Sequence, residues 1–150
     1  MSFKLIRKSA CNWIEYTQSS EQSISSGTDV VWDTVRSTST PSMSINSSTG
    51  VITLDSNKRY WIQASINVLR SGNGDIEFKF LTGAGGSLSQ SDGAFPMLYF
   101  EDNSKPIINS SFMASLMVSY PSSTYKLQCT DVDANSTLKA QTHLFIMEML

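Results

Sequence analysis

His143 is the only histidine among the 150 residues. A metal site built from several histidines is therefore excluded, and any Ser-His-Asp arrangement would rest on this one side chain. Its place beside Leu144 in the run Gln141 to Leu150 suits a structural or interface role better than catalysis. Serine is abundant, but no Gly-x-Ser-x-Gly elbow holds one up as a nucleophile. Gly83-Ala84-Gly85-Gly86 lacks the following helix and the lysine of a phosphate cradle. It reads instead as a flexible or ligand-contacting loop. Asp131-Val132-Asp133-Ala134-Asn135-Ser136-Thr137 places oxygen ligands at alternate positions, as a calcium loop begins. Ser136 then stands where glycine is required and Thr142 where the bidentate glutamate belongs, and an Asx-rich turn accounts for the segment without metal. Asp29, Asp33, Asp92 and Asp102 are dispersed through expected loops and define no acid-base pair, so a glycan hydrolase is disfavoured. The expectation is a protein that is not an enzyme, with no catalytic residue, no cofactor and no metal.

Cys129 follows Tyr125 and Leu127 at alternate positions and is expected to face inward as a small hydrophobe, with a bond to Cys11 as the alternative. Trp13, Trp32 and Trp61 are mostly core candidates in a β-protein. Phe95, Tyr99 and Tyr120, near expected loops, are the candidates for glycan or partner contact.

The elements that must position these residues follow from composition and period. The chain is 40% hydrophobic and only 16% charged, with an excess of Ser, Thr, Asn, Gln and Gly that favours strands and turns. Net charge is −2 and the basic residues are scattered, which argues against nucleic acid. No apolar window is long enough for a membrane span, and Met1 to Arg7 lacks the features of a secretory signal. The sequons at Asn46, Asn109 and Asn135 are then chance matches in a Ser-rich chain.

Asn12 to Thr17 and Thr28 to Val35 read as strands joined by a polar connector, with Val30, Val31 and Trp32 seeding the core. Ser37 to Ser42 reads as a loop, and Met43 to Leu54 as a strand pair around Ser48-Thr49-Gly50. Tyr60 to Val68 alternates with period two, and Ser71-Gly72-Asn73-Gly74 suggests a hairpin to Asp75 to Phe80. Gly83 to Pro96 is a long loop, Met97 to Glu101 a strand and Asp102 to Pro106 a turn. Asn109 to Tyr120 is a strand with Phe112, Ala114, Leu116 and Val118 inward and Met113 and Met117 on its other face. Thr124 to Thr130 and Thr142 to Leu150 complete about eight to ten strands. Leu144 to Met147 is apolar without alternation, as in a central strand covered on both faces. One cover is the domain's own core, and the second is most simply another copy of the chain.

Three segments together resemble the jelly-roll family of tumour necrosis factor and the complement globular heads, in its bacteriophage versions. They are Val30-Val31-Trp32-Asp33-Thr34, Ser48-Thr49-Gly50-Val51-Ile52-Thr53-Leu54 and Arg59-Tyr60-Trp61-Ile62-Gln63-Ala64-Ser65-Ile66. The resemblance spans roughly residues 28 to 150, leaving 1–27 as an N-terminal arm and first strand. It implies an all-β, antiparallel jelly-roll sandwich and a compact homotrimer with its central strands near the three-fold axis. Leu144, Phe145, Ile146, Met147, Met113 and Met117 are then the expected trimer interface. The functional expectation is a capsid decoration knob on the outer surface of a bacteriophage virion, with the major capsid protein or another virion protein as partner. Phe3, Lys4, Leu5, Arg7, Lys8 and Trp13, in the arm Ser2 to Tyr16, would dock it, although Lys4, Arg7 and Lys8 also read as an ordinary solvated terminus. The alternative expectation is a receptor-binding head on a phage head or tail fibre that recognises a host surface glycan. Neither a shaft nor a collagen repeat precedes the domain, which favours the first.

Overall fold

The computed structural model describes residues 11–38, 42–71, 76–88, 94–95, 98–100, 107–121, 123–132 and 135–149. These form thirteen strands in two antiparallel sheets. In chain order they are β1 (Trp13–Thr17), β2 (Gln22–Ile24), β3 (Thr34–Thr38), β4 (Met43–Ile45), β5 (Ile52–Leu54), β6 (Arg59–Ser71) and β7 (Ile76–Thr82). They continue as β8 (Ala94–Phe95), β9 (Leu98–Phe100), β10 (Ile107–Ser119), β11 (Tyr125–Val132), β12 (Asn135–Leu138) and β13 (His143–Met149). The first sheet centres on β6, which pairs with β10 along one edge and with β13 and β12 along the other. β1 and β3 extend it beyond β13, β2 extends it beyond β12, and β8 lies outside β10. The second sheet runs β4-β5-β11-β7-β9. β1 and β2 are thus built into the first sheet.

Period two in the sequence becomes two faces in the structure. Tyr60, Ile62, Ala64 and Ile66 of β6, Leu144 and Ile146 of β13, and Ala114, Leu116 and Val118 of β10 are buried between the sheets. Phe78, Phe80, Leu127 and Cys129 meet them from the second sheet, and Val30 and Trp32 close the core. Both of the last two are fully buried, although residues 28–33 form only an isolated bridge, Asp29 to Gln128, in place of the expected strand. The strand begins later, at Thr34, and runs through part of the expected Ser37 to Ser42 loop.

β4 and β5 pair as expected, Met43 opposite Leu54 and Ile45 opposite Ile52. Their turn needs Gly50, which sits at φ 71. A Cβ there would also run into the Val30 carbonyl oxygen, so the turn and the buried Val30 segment fit together only through glycine.

Residues 72–75 lie outside the described residues, but β6 and β7 do not pair with each other as the expected hairpin requires. β6 lies in the first sheet and β7 in the second, where β7 pairs with β11 and β9. Gly and Asn let a chain reverse, but the partner a strand finds is set by which face must be buried. Of the turn expected over residues 131–137, positions 133–134 lie outside the described residues and the flanking positions are strand. Asp131 and Val132 end β11 in one sheet while Asn135 to Thr137 belong to β12 in the other. The Asp102 to Pro106 turn lies outside the described residues.

Gly50→Ala combines a left-handed backbone with a collision against the Val30 carbonyl. It is expected to lower unfolding free energy by about 2–3 kcal/mol, read as a reduced urea midpoint with unchanged slope.

Candidate functional site

Register across the first sheet determines what its outer face presents. Trp13 of β1 lies opposite Met147 of β13, Met147 opposite Trp61 of β6, and Trp61 opposite Met117 of β10. Four large apolar side chains therefore form one continuous row across four strands. The next row is Glu15, Phe145, Gln63 and Ser115, and the one after it Thr17, His143, Ser65 and Met113. Trp13 stacks on Phe145 with centroids 6.1 Å apart and planes 29° from parallel, tying the first two rows together. Met113 and Met117 are 67% and 52% exposed, and the Gln63 amide donates to the Met113 sulfur at 3.0 Å. This apolar band makes the outer sheet face the candidate interaction surface.

This face sorts the sequence-derived candidates. Phe145, Met147, Met113 and Met117 lie on it. Leu144 and Ile146 do not: both are fully buried against the second sheet and are withdrawn as interface residues. A run of four apolar residues still alternates once it is a strand, so only every second one can face a partner. Trp13, expected to dock a capsid, belongs to the same outer face through Phe145 and Met147. Trp61 was missed, although its position between Tyr60 and Ile62 in the period-two segment already assigned it to the opposite face. Phe3, Lys4, Leu5, Arg7 and Lys8 lie outside the described residues.

His143 also sits on this face, with Nδ1 3.5 Å from Glu15 Oε1, while Arg36 approaches the same oxygen at 3.9 Å. That is a polar margin to the band and carries no nucleophile. Among the described residues no group of three or more His, Cys, Asp or Glu could hold a metal ion. Cys129 is buried, and burial pushes its thiol up to about 11; Cys11 is exposed, and neither is bonded.

At one end of the face the chain is tied down by Glu148. Its carboxylate accepts hydrogen bonds from Asn12 Nδ2 at 2.7 Å, Lys58 Nζ at 2.8 Å and Ser42 Oγ at 3.3 Å. Its amide donates to the Asn12 carbonyl at 2.8 Å, and the Cys11 thiol donates to its carbonyl at 2.7 Å. Burial works to raise the Glu148 carboxyl, but the Lys58 and Asn12 hydrogen bonds outweigh it and hold the group below its ordinary 4.5.

Beside this knot, Asn57, Lys58, Arg59, Tyr120 and Met149 line an open cleft of about 210 Å³. Tyr120 is 59% exposed, at a φ of 54, with the Arg59 guanidinium 5.4 Å from its ring centroid. Phe95 and Tyr99 fall in β8 and β9, and their side chains lie outside the described residues.

The two sheets and their strand order place the chain among the jelly rolls typified by tumour necrosis factor and the C1q globular head. A structure of Eiger TNF from S. frugiperda aligns with TM-score 0.63 at 11% identity, over 93% of this chain and 92% of that one. Murine APRIL aligns with TM-score 0.62 at 8% identity, over 93% and 100%. The globular domain of zebrafish complement 1qA protein aligns with TM-score 0.60 at 8% identity, over 94% and 98%. At these identities the likeness establishes the fold. No protein-family model and no curated protein sequence matches the chain.

A carboxylate whose folded value lies below 4.5 stabilises the fold above that pH and loses its contribution as pH falls through the folded value. Glu148→Gln is therefore expected to be less stable than the parent at pH 7, with the difference shrinking below about pH 4. Urea unfolding at pH 7, 5 and 3 reads both.

Proposed function

We propose that this protein is a structural binding module that works as an assembly of its own copies, packed through the outer face of the β6 sheet. The row Trp13, Met147, Trp61 and Met117 carries this reading. Antiparallel sheets with one solvated face normally alternate apolar-in and polar-out, and here one outward row is apolar on all four adjacent strands, with Phe145 and Met113 beside it. A second copy supplies a matching surface without a further protein, and the expected homotrimer is the closed arrangement that the resemblance implies.

At the finer level, the assembly acts as a decoration knob on the outer surface of a bacteriophage capsid, anchored to the major capsid protein by the segment before β1. The support for this use is the likeness of the Trp32, Gly50 and Tyr60 segments to phage versions of the fold. The attachment of Asn12 and Cys11 to Glu148 is consistent with it, because it fixes where that segment leaves the sheet. One observation favours a receptor-binding head instead. The exposed Tyr120 ring, backed by Arg59 at the edge of a cleft, is suited to stacking on a sugar.

Sedimentation of the parent chain is expected to give three times the 16.5 kDa protomer mass. Met117→Glu and Met147→Glu should each weaken assembly at least about tenfold while keeping a cooperative unfolding transition. A parent that sediments as a monomer overturns the reading. Deleting residues 1–10 should leave the trimer intact and abolish binding to capsids that lack the protein. If the glycan reading holds, Tyr120→Ala should instead lose binding on a host-glycan array at least about tenfold, in line with the loss of a stacking contact of about 1.4 kcal/mol.

A further inference from the structure

The outer face carries the one side chain that changes charge near neutral pH. Imidazole is the only side chain whose ordinary value, about 6.5, falls in that range, and His143 is the only histidine. Ordinary carboxylates lose their protons at about pH 4; Glu148 does so lower still, and the buried Cys129 thiol stands at about 11. A terminal amine, ordinarily at about 8, stays mostly protonated.

Register puts this histidine within the outer face. It lies between Thr17 of β1 and Ser65 of β6, in the row that continues to Met113 of β10. The next outward residue along β13 is Phe145, stacked on Trp13. The charged groups beside it come from the β1 side of the sheet. Glu15 of β1 has Oε1 3.5 Å from His143 Nδ1, and Arg36 of β3 lies 3.9 Å from that same oxygen. From the paired rows, β6 and β10 present Gln63, Ser65, Met113 and Ser115, none of which titrates. Lys139, upstream of β13, is engaged by Glu21 at 2.6 Å.

With the imidazole neutral, the Glu15 carboxylate balances the Arg36 guanidinium and this margin of the face has no net charge. Protonation leaves one carboxylate between two cations. Each copy then gains one uncompensated positive charge beside the apolar band. Covering that charge costs desolvation, and copies packed through the same face bring their like charges closer. The free protomer, with 32% of the His143 side chain open to water, carries the proton without either cost. By linkage, a proton that binds the free protomer better than the assembled one favours separation of the copies.

We infer that His143 is an acid switch for the assembly, its copies joined above about pH 7 and released below about pH 6 as the imidazole takes up a proton. This rests on the self-assembly reading above and adds its control by acid. The test is sedimentation of the full chain at pH 7.5, 6.5 and 5.5 and at two protein concentrations, with far-UV circular dichroism of the same samples. The trimer is expected at pH 7.5, and association at least about tenfold weaker at pH 5.5, with the β spectrum intact and recovery on return to pH 7.5. Raising the concentration should move the midpoint of dissociation to lower pH. His143→Gln should stay trimeric across the range, whereas Glu15→Gln, which removes the balancing carboxylate, should dissociate at higher pH than the parent. A parent that is monomeric at pH 7.5 sinks the self-assembly reading and the switch with it. The switch alone is overturned by a trimer equally tight or tighter at pH 5.5, by His143→Gln still dissociating in acid, by a midpoint unmoved in Glu15→Gln, or by unfolding in place of dissociation.

Discussion

Backbone pairing along β6 is the constraint on which the rest of the structure depends. This strand is hydrogen-bonded on both edges, to β10 on one side and to β13 and β12 on the other. Its neighbours are therefore locked to its alternation, and a slip of one residue would turn every side chain to the wrong face. Once Tyr60, Ile62 and Ala64 face the core, Leu144, Ile146, Ala114 and Leu116 must do the same. The outward row of Trp13, Met147, Trp61 and Met117 is the necessary complement of that choice. Interior and outer face are set by one register, and neither can be altered by sliding a strand without losing the other.

β1 illustrates how the ends of the sheet are secured. It pairs with β13 along its whole length, and each end carries a separate fastening. At one end the Glu148 carboxylate gathers Asn12, Ser42 and Lys58; at the other, Gln18 exchanges backbone hydrogen bonds with Thr142 and Gln141. The first fastening is charged and responds to acid, and the second is neutral.

The fold was legible where side-chain period was strong. The alternation of Tyr60 to Val68 and of Phe112 to Val118 identified the two long strands, and the Gly50 turn identified the β4-β5 pair. What was not legible was partner choice. Ser71 to Gly74 carries the chemistry of a tight turn, yet β6 and β7 part into different sheets, because local turn chemistry does not encode which surface a strand must cover. Gln22 to Ile24 and Asn135 to Leu138 were missed because short polar strands have no period of their own and are held by β6 and by each other. For the candidate surface, Met113 and Met117 were readable as outward apolar residues, whereas the meeting of Trp13, Trp61 and Met147 depends on pairings between distant parts of the chain.

The pairing of β1 with β13 also shapes how the protein is made. The strand that leaves the ribosome first among those described must wait for the one that leaves last, and at about 5–20 residues per second that wait is on the order of ten seconds. Until then β1 can pair only with β3, and its other edge stays open. When β13 does emerge, its open edge can be taken by β1 of the same chain or by β1 of a neighbour on the same message.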